Sequence, residues 1–186
     1  MELGVQRFVT EQIAPLNAAV GESWLRGDLS VAQEHVYTEA VQLVLRQAIG
    51  TMPAPRPDAP RLLLATLPQE SHGLGLLMVE AMLSVHGWRC VSLGTRVPLE
   101  DIVGTARMVD ARIVALGFSG SYSAAQVTAA LLELRTLLCP AVQIWAGGSN
   151  LALQRRLPDG VVAVRDIALL PTLVAAWEQA LTGPSA

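Results

Sequence analysis

The chain has 186 residues, 52% of them hydrophobic and 16% charged, with a net charge of −3 at pH 7, enough to bury a core without disulfides. The two cysteines, Cys90 and Cys139, form no short-spaced pair and are expected as buried free thiols of a reducing compartment. Thirteen Lys and Arg residues form no dense stripe, and no apolar run approaches the ~18 residues of a spanning helix, so the expectations are no direct nucleic-acid contact, no membrane contact and a cytoplasmic location.

Residues 5–49 read as helical. Val5, Phe8, Val9, Ile13, Leu16, Val20 and Trp24 recur at three- and four-residue steps, which marks one apolar stripe. Pro15 lies inside that stripe and should kink or split the helix. The stretch RGDLS then breaks the pattern. Ser30 followed by Gln33 has the form of a capping box, so a second helix should start near Val31. Its stripe includes Val36, Ala40, Val41, Val44, Leu45 and Ala48. Such short helices have little core of their own and must pack on something.

The segment TMPAPRPDAP holds four prolines in ten residues and cannot continue a helix. The expected organisation is therefore a helical bundle over 1–51, a proline-rich linker over 52–60 and a second unit over 61–186. In that unit short apolar runs at 61–67, 89–93, 112–117, 141–145 and 161–165 read as strands. Helices are expected between them at 74–86, 99–109, 124–138 and 150–157, with a last one at 167–181. Five strands each followed by a helix imply an α/β unit with a parallel sheet covered on both faces. Right-handed crossovers make the doubly wound, flavodoxin-like order 2-1-3-4-5 the expected one.

That order locates a site before any motif is considered. Ligands in such sheets bind outside the carboxyl ends of the strands, at the switch point between strands one and three. The loops there are PQESHGLG and FSGSYS, the most polar stretches of the unit. A dinucleotide site is disfavoured, because Gly73 and Gly75 lack a third glycine at Met78 and strand two ends without an acid. A flavin or aspartyl-phosphate site lacks its hydroxyls or acids, a zinc site lacks a ligand set among His35, His72 and His86, and GFSGS is not a nucleophile elbow. A metal-centred cofactor held through one histidine remains beside the plain reading of Glu70 and His72 as a solvated polar pair. Glu70 could fix the tautomer of His72 and leave its other nitrogen for the metal.

At these positions the sequence resembles the cobalamin-binding domains. Glu70-x-His72-x-x-Gly75 stands where that family has Asp-x-His-x-x-Gly, Ser119-x-Ser121 where it has Ser-x-Leu, and Gly147-Gly148 where it has Gly-Gly. The resemblance implies that His72 is the lower axial ligand to cobalt. It also implies that the nucleotide tail runs along Ser119, Gly147 and Gly148, with Ser121 as a further cofactor-binding residue; Gly73 and Gly75, which lack side chains, would let a bulky planar ligand approach the backbone closely. In the front half, Trp24, nine residues, then Glu34-His35 resembles the bundle motif of light-sensing, adenosylcobalamin-dependent transcription regulators of the MerR type. In that family the bundle caps the upper face of the cofactor, which would put Trp24, Glu34 and His35 there. The family also carries Glu at the position of Glu70.

Three departures accompany the resemblance. A MerR-type DNA-binding region is expected ahead of the bundle, and four residues precede Val5 here; Ser121 replaces the leucine; and Leu25, which cannot ligate cobalt, follows Trp24 where some relatives have a histidine. The expectation is a non-enzymatic, cobalamin-binding sensor that responds to light and regulates transcription through a homo-oligomer or a protein partner. Adenosylcobalamin is the expected form, with methylcobalamin and hydroxocobalamin as alternatives. The competing expectation is a corrinoid carrier serving a methyltransferase.

Overall fold

The computed structural model describes residues 2–120 and 122–182. Five strands, β1 (Arg61–Ala65), β2 (Arg89–Gly94), β3 (Ile113–Gly117), β4 (Gln143–Gly147) and β5 (Val161–Val164), form one sheet. Their order is β2-β1-β3-β4-β5 with every pair parallel, the doubly wound order expected from the sequence.

Strand alternation divides the core in two. Leu63, Ala65, Val114, Leu116, Ile144 and Ala146 point to one face. There they meet Ile102, Val103 and Ala106 of α5 (Leu99–Met108) and Val127, Leu131 and Leu134 of α6 (Ala124–Leu137). Leu62, Leu64, Ile113, Ala115 and Trp145 point to the other, under α4 (Leu74–Val85) and α7 (Leu170–Thr182). Trp88 packs between Trp145 and Trp177 on that side, with ring centroids 6.2 and 5.1 Å away. Its indole N–H donates to Glu178 at 3.1 Å.

The amino-terminal helices α1 (Glu2–Arg7), α2 (Ala14–Leu25) and α3 (Val31–Gly50) close the second face from outside. Val9, Ile13, Val41 and Leu45 are buried and belong to the same cluster as Leu62, Leu77, Met78 and Ala81. Tyr37 donates its hydroxyl to Asn17, whose amide N–H meets the Met78 sulfur at 3.4 Å, so α2, α3 and α4 are tied together. The capping box is present in full: the Ser30 hydroxyl accepts from Gln33 N–H, and the Gln33 side chain accepts from Ser30 N–H.

Several local expectations are corrected. Pro15 does not end the helical run, which is divided just ahead of it: a π-helical stretch, Phe8–Ile13, joins α1 to α2. The Ala14 N–H reaches back five residues to Val9, and Pro15 then sits in the first turn of α2, where its missing N–H costs nothing. The helix expected over 150–157 is one 3₁₀ turn, Leu151–Gln154. A second such turn, Ile167–Leu169, precedes α7. In α3 only Val41 and Leu45 of the expected stripe are buried, while Val36 and Val44 are exposed, because α3 meets α4 along a narrower seam than the pattern suggested. Cys139 is exposed, since it follows α6 in a surface turn. Cys90 is half-buried on β2, and burial pushes its thiol up to about 12. No helix among the described residues is long and apolar enough to cross a membrane.

Candidate functional site

The turn after β1 is fixed by its buried residues. Thr66 is fully buried; its hydroxyl donates to the Glu70 carbonyl at 2.6 Å and accepts from Arg96 N–H at 3.0 Å. This joins the turn to the loop after β2. Gly73 ends the turn as the cap of α4, and a Cβ there would lie 2.9 Å from the Thr95 methyl group.

Glu70 is fully buried, and its oxygens face inward donors. Oε1 accepts from His72 Nδ1 at 2.6 Å and from His72 N–H at 3.1 Å, and Oε2 accepts from Ser119 N–H at 2.7 Å. Burial pushes this carboxyl up, but the backbone N–H and side chain of Ser119 together with the His72 donors outweigh it and hold Glu70 below its ordinary range. An ionised carboxylate only accepts, so the His72 nitrogen that faces Glu70, Nδ1, carries a proton, and Nε2 is the ring nitrogen turned away from that carboxylate. The imidazole itself is 64% exposed. One loop after β1 thus presents a single oriented imidazole at the carboxyl edge of the sheet.

A second carboxylate–imidazole pair sits on α3. Glu34 Oε2 accepts from His35 Nδ1 at 2.8 Å, and Thr38 donates to Oε1 at 2.7 Å. The Thr38 hydroxyl holds the Glu34 carboxyl below its usual range, opposed by partial burial and assisted by the charges of His35 and His72. Glu34 is therefore within electrostatic reach of His72. Trp24, at the end of α2, is 46% exposed and Leu25 is 78% exposed, so neither is spent on the core.

The two other predicted loops also meet here, though their glycines have reasons of their own. Gly148 has φ +119, and a Cβ would come within 2.2 Å of the Phe118 carbonyl oxygen. The close approach of the loops after β3 and β4 therefore demands a glycine at 148 whatever binds nearby. A Cβ at Gly147 would lie 3.2 Å from the Val164 carbonyl. At Gly75, in the first turn of α4, a Cβ would meet nothing within 4 Å, so space is open there. Ser121 lies outside the described residues.

Sequence reasoning missed Asn150, which is 4% exposed. Its amide donates to the Ser119 and Tyr122 carbonyls at 2.7 and 2.8 Å, and its Oδ1 accepts from Ala152 N–H at 2.9 Å. Tyr122 in turn donates to Gln69 Oε1 at 2.5 Å. Asn150 and Tyr122 thus lock the loops after β1, β3 and β4 to one another. The available signal was an Asn directly after a Gly-Gly-Ser turn, a residue type that bonds neighbouring backbone. Asn150→Ala should lower stability of the cofactor-free protein by about 2 kcal/mol, because buried carbonyls and one N–H lose their partner. Urea unfolding measures it, and a change under about 0.5 kcal/mol would show that water replaces the amide.

A sequence model described as the B12 binding domain matches residues 60–166, and a second of the same description matches residues 1–49. The chain is 35% identical over 139 residues to the HTH-type transcriptional repressor CarH of Myxococcus xanthus, covering 75% of this chain and 46% of that protein. It thus spans about half the length of the curated relative it matches. Among solved structures it is similar to a cobalamin-binding protein from Desulfitobacterium hafniense DCB-2, with a TM-score of 0.56 and 16% identity over 95% of this chain and 98% of that one. It is also similar to the monomethylamine corrinoid protein of Methanosarcina barkeri, with a TM-score of 0.58 and 19% identity over 87% and 77% of the two chains. At such identities the two structures speak for the fold.

Proposed function

We propose that this chain, which belongs to the B12-binding domain family, is a cobalamin-binding sensory module that responds to light and regulates transcription through a change in oligomer or partner. The observation that carries this reading is the buried Glu70 holding His72 Nδ1 at 2.6 Å at the carboxyl edge of the sheet.

The residues fit such a cofactor. A single exposed imidazole with its Nδ1 proton engaged offers one nitrogen lone pair to a metal. Open space beside Gly75 leaves the first turn of α4 accessible to a large planar group. Bound cobalamin would supply the cobalt ion and, in its adenosyl form, a light-sensitive cobalt–carbon bond. His72 would be the lower ligand, and Glu70 would keep its tautomer and ring plane. Ser119, Gly147 and Gly148 would line the path of the nucleotide tail, with Ser121 as the sequence-based addition.

Trp24, Glu34 and His35 would close the site from above, in keeping with the resemblance of Trp24-x9-Glu34-His35 to the light-sensing regulators. The half-exposed Trp24 and the exposed Leu25 supply apolar surface on that side. A change beneath them would be felt by α2 and α3, whose seam with α4 is narrow. Such a role is regulatory and needs no catalytic group; the 35% identity to a transcriptional repressor supports it.

The test is purification with adenosylcobalamin in darkness, followed by absorption spectra and size measurement before and after illumination. Retained cobalt with a light-dependent spectrum and a change in size is expected. Absence of retained cobalt would refute the cofactor, and a spectrum indifferent to light would refute the light response. Methyl transfer to a thiol or folate acceptor that ignores Trp24→Ala would identify a corrinoid carrier instead.

A further inference from the structure

The opposite edge of the sheet carries a row of arginines. Arg61 begins β1, Arg89 begins β2, and Arg112 immediately precedes β3. Register pairs Arg61 with Arg89, and the Arg112 N–H donates to the Arg61 carbonyl at 2.8 Å. The three therefore stand side by side on adjacent strands, about 4.8 Å apart from one strand to the next. They share the alternation of Leu63, Val91 and Val114, so all three belong to the face covered by α5 and α6.

Like charges directly across neighbouring strands repel, and this row is poorly neutralised. Among the described residues its carboxylate partner is Asp110, 3.5 Å from Arg112 and 3.9 Å from Arg61, and held in the left-handed region at φ +50. Arg89 is exposed and has no carboxylate partner among the described residues. The patch is thus cationic in a chain of net charge −3. Arg61, Arg89 and Asp110 line an open hollow of about 350 Å³ together with the apolar Val91, Val109 and Met108, so two guanidinium groups face one carboxylate there. Met108 is 79% exposed.

We propose that this edge docks an acidic segment of a partner protein, with carboxylates on Arg61 and Arg89 and one apolar side chain seated against Met108 and Val91. Charge complementarity sets the sign of the partner, and the apolar lining sets its class. A nucleic-acid backbone would leave that lining uncovered, and a row about 10 Å long across three strands neutralises too few phosphates to hold a duplex. The patch lies at the amino ends of the strands and His72 at the carboxyl ends, so partner and cofactor can be held together.

Fluorescence anisotropy with a short labelled peptide alternating glutamate and leucine tests this on the full chain. A matched glutamate–serine peptide and a short DNA duplex serve as comparisons. The glutamate–leucine peptide should bind best and weaken with salt. Arg89→Glu should weaken it about tenfold or more, and Met108→Ser should weaken it severalfold. Both variants should retain the circular dichroism and cobalamin uptake of the parent, which separates this surface from the cofactor site; Arg89→Ala provides a milder variant should Arg89→Glu unfold. No binding, equal binding of the serine peptide, or tighter binding of DNA that Arg89→Glu abolishes would each overturn the proposal. So would self-association that Arg89→Glu disperses, because a second copy would then be the occupant.

Discussion

His72→Ala is expected to lower cobalamin affinity about 100-fold or more while leaving the fold intact. Losing a partner that merely supports a ligand already costs 10–100-fold, and loss of the ligand itself sets that range as a floor. Stability without cofactor should hardly change, because the ring is 64% exposed and the variant leaves Glu70 its backbone donors from His72 and Ser119. Spectroscopy on the loaded protein gives a second readout: the signature of imidazole-bound cobalt should vanish and return when free imidazole is added. Unchanged affinity and spectrum in His72→Ala would mean that another group ligates cobalt.

Glu70→Ala is expected to act on both levels at once. It leaves the N–H groups of His72 and Ser119 without their acceptor and frees the His72 ring. Two orphaned backbone donors at ~1–3 kcal/mol each give a loss of about 4 kcal/mol, read from urea unfolding. Glu70→Gln keeps the shape but aims an amide N–H₂ at one of these donors, and should cost about half as much. In both, cobalamin affinity should fall by roughly 10–100-fold because the imidazole is no longer oriented.

The pH dependence has a definite sign. The folded carboxyl of Glu70 is held below its ordinary range, whereas in the unfolded chain it titrates near ~4.3. The unfolded chain therefore binds the proton first as pH falls. The contribution of Glu70 ionisation is complete above the unfolded value and is lost as pH drops through the folded one. The stability gap between the parent and Glu70→Ala should be constant at neutral pH and shrink in acid below that value. A gap that instead widened in acid would contradict the charged, hydrogen-bonded Glu70.

Much of this was legible in the chain itself. Alternation of apolar runs with helical periods is local, so β1–β5 and their order followed from the sequence, as did the capping box at Ser30 and Gln33. Glu70 and His72 are two residues apart, so their pairing needed only a turn. The stripe through Val36 and Val44 misled because periodicity reports which residues share a helix face, not how much of that face another element covers.

The long-range contacts were decided elsewhere. Asn150 reaches Ser119 and Tyr122 across 31 and 28 positions of chain, and nothing near Asn150 announces those partners. The requirement for glycine at 148 comes from the Phe118 carbonyl on another strand's loop. The arginine row exists only once register sets β2, β1 and the start of β3 side by side. By itself the sequence determined the five strands, the longer helices and which loops share the ligand edge, because burial pattern and turn chemistry act over a few residues. Only the tertiary structure decided which groups are satisfied, crowded or left exposed, because those depend on what the sheet register and helix packing bring against them.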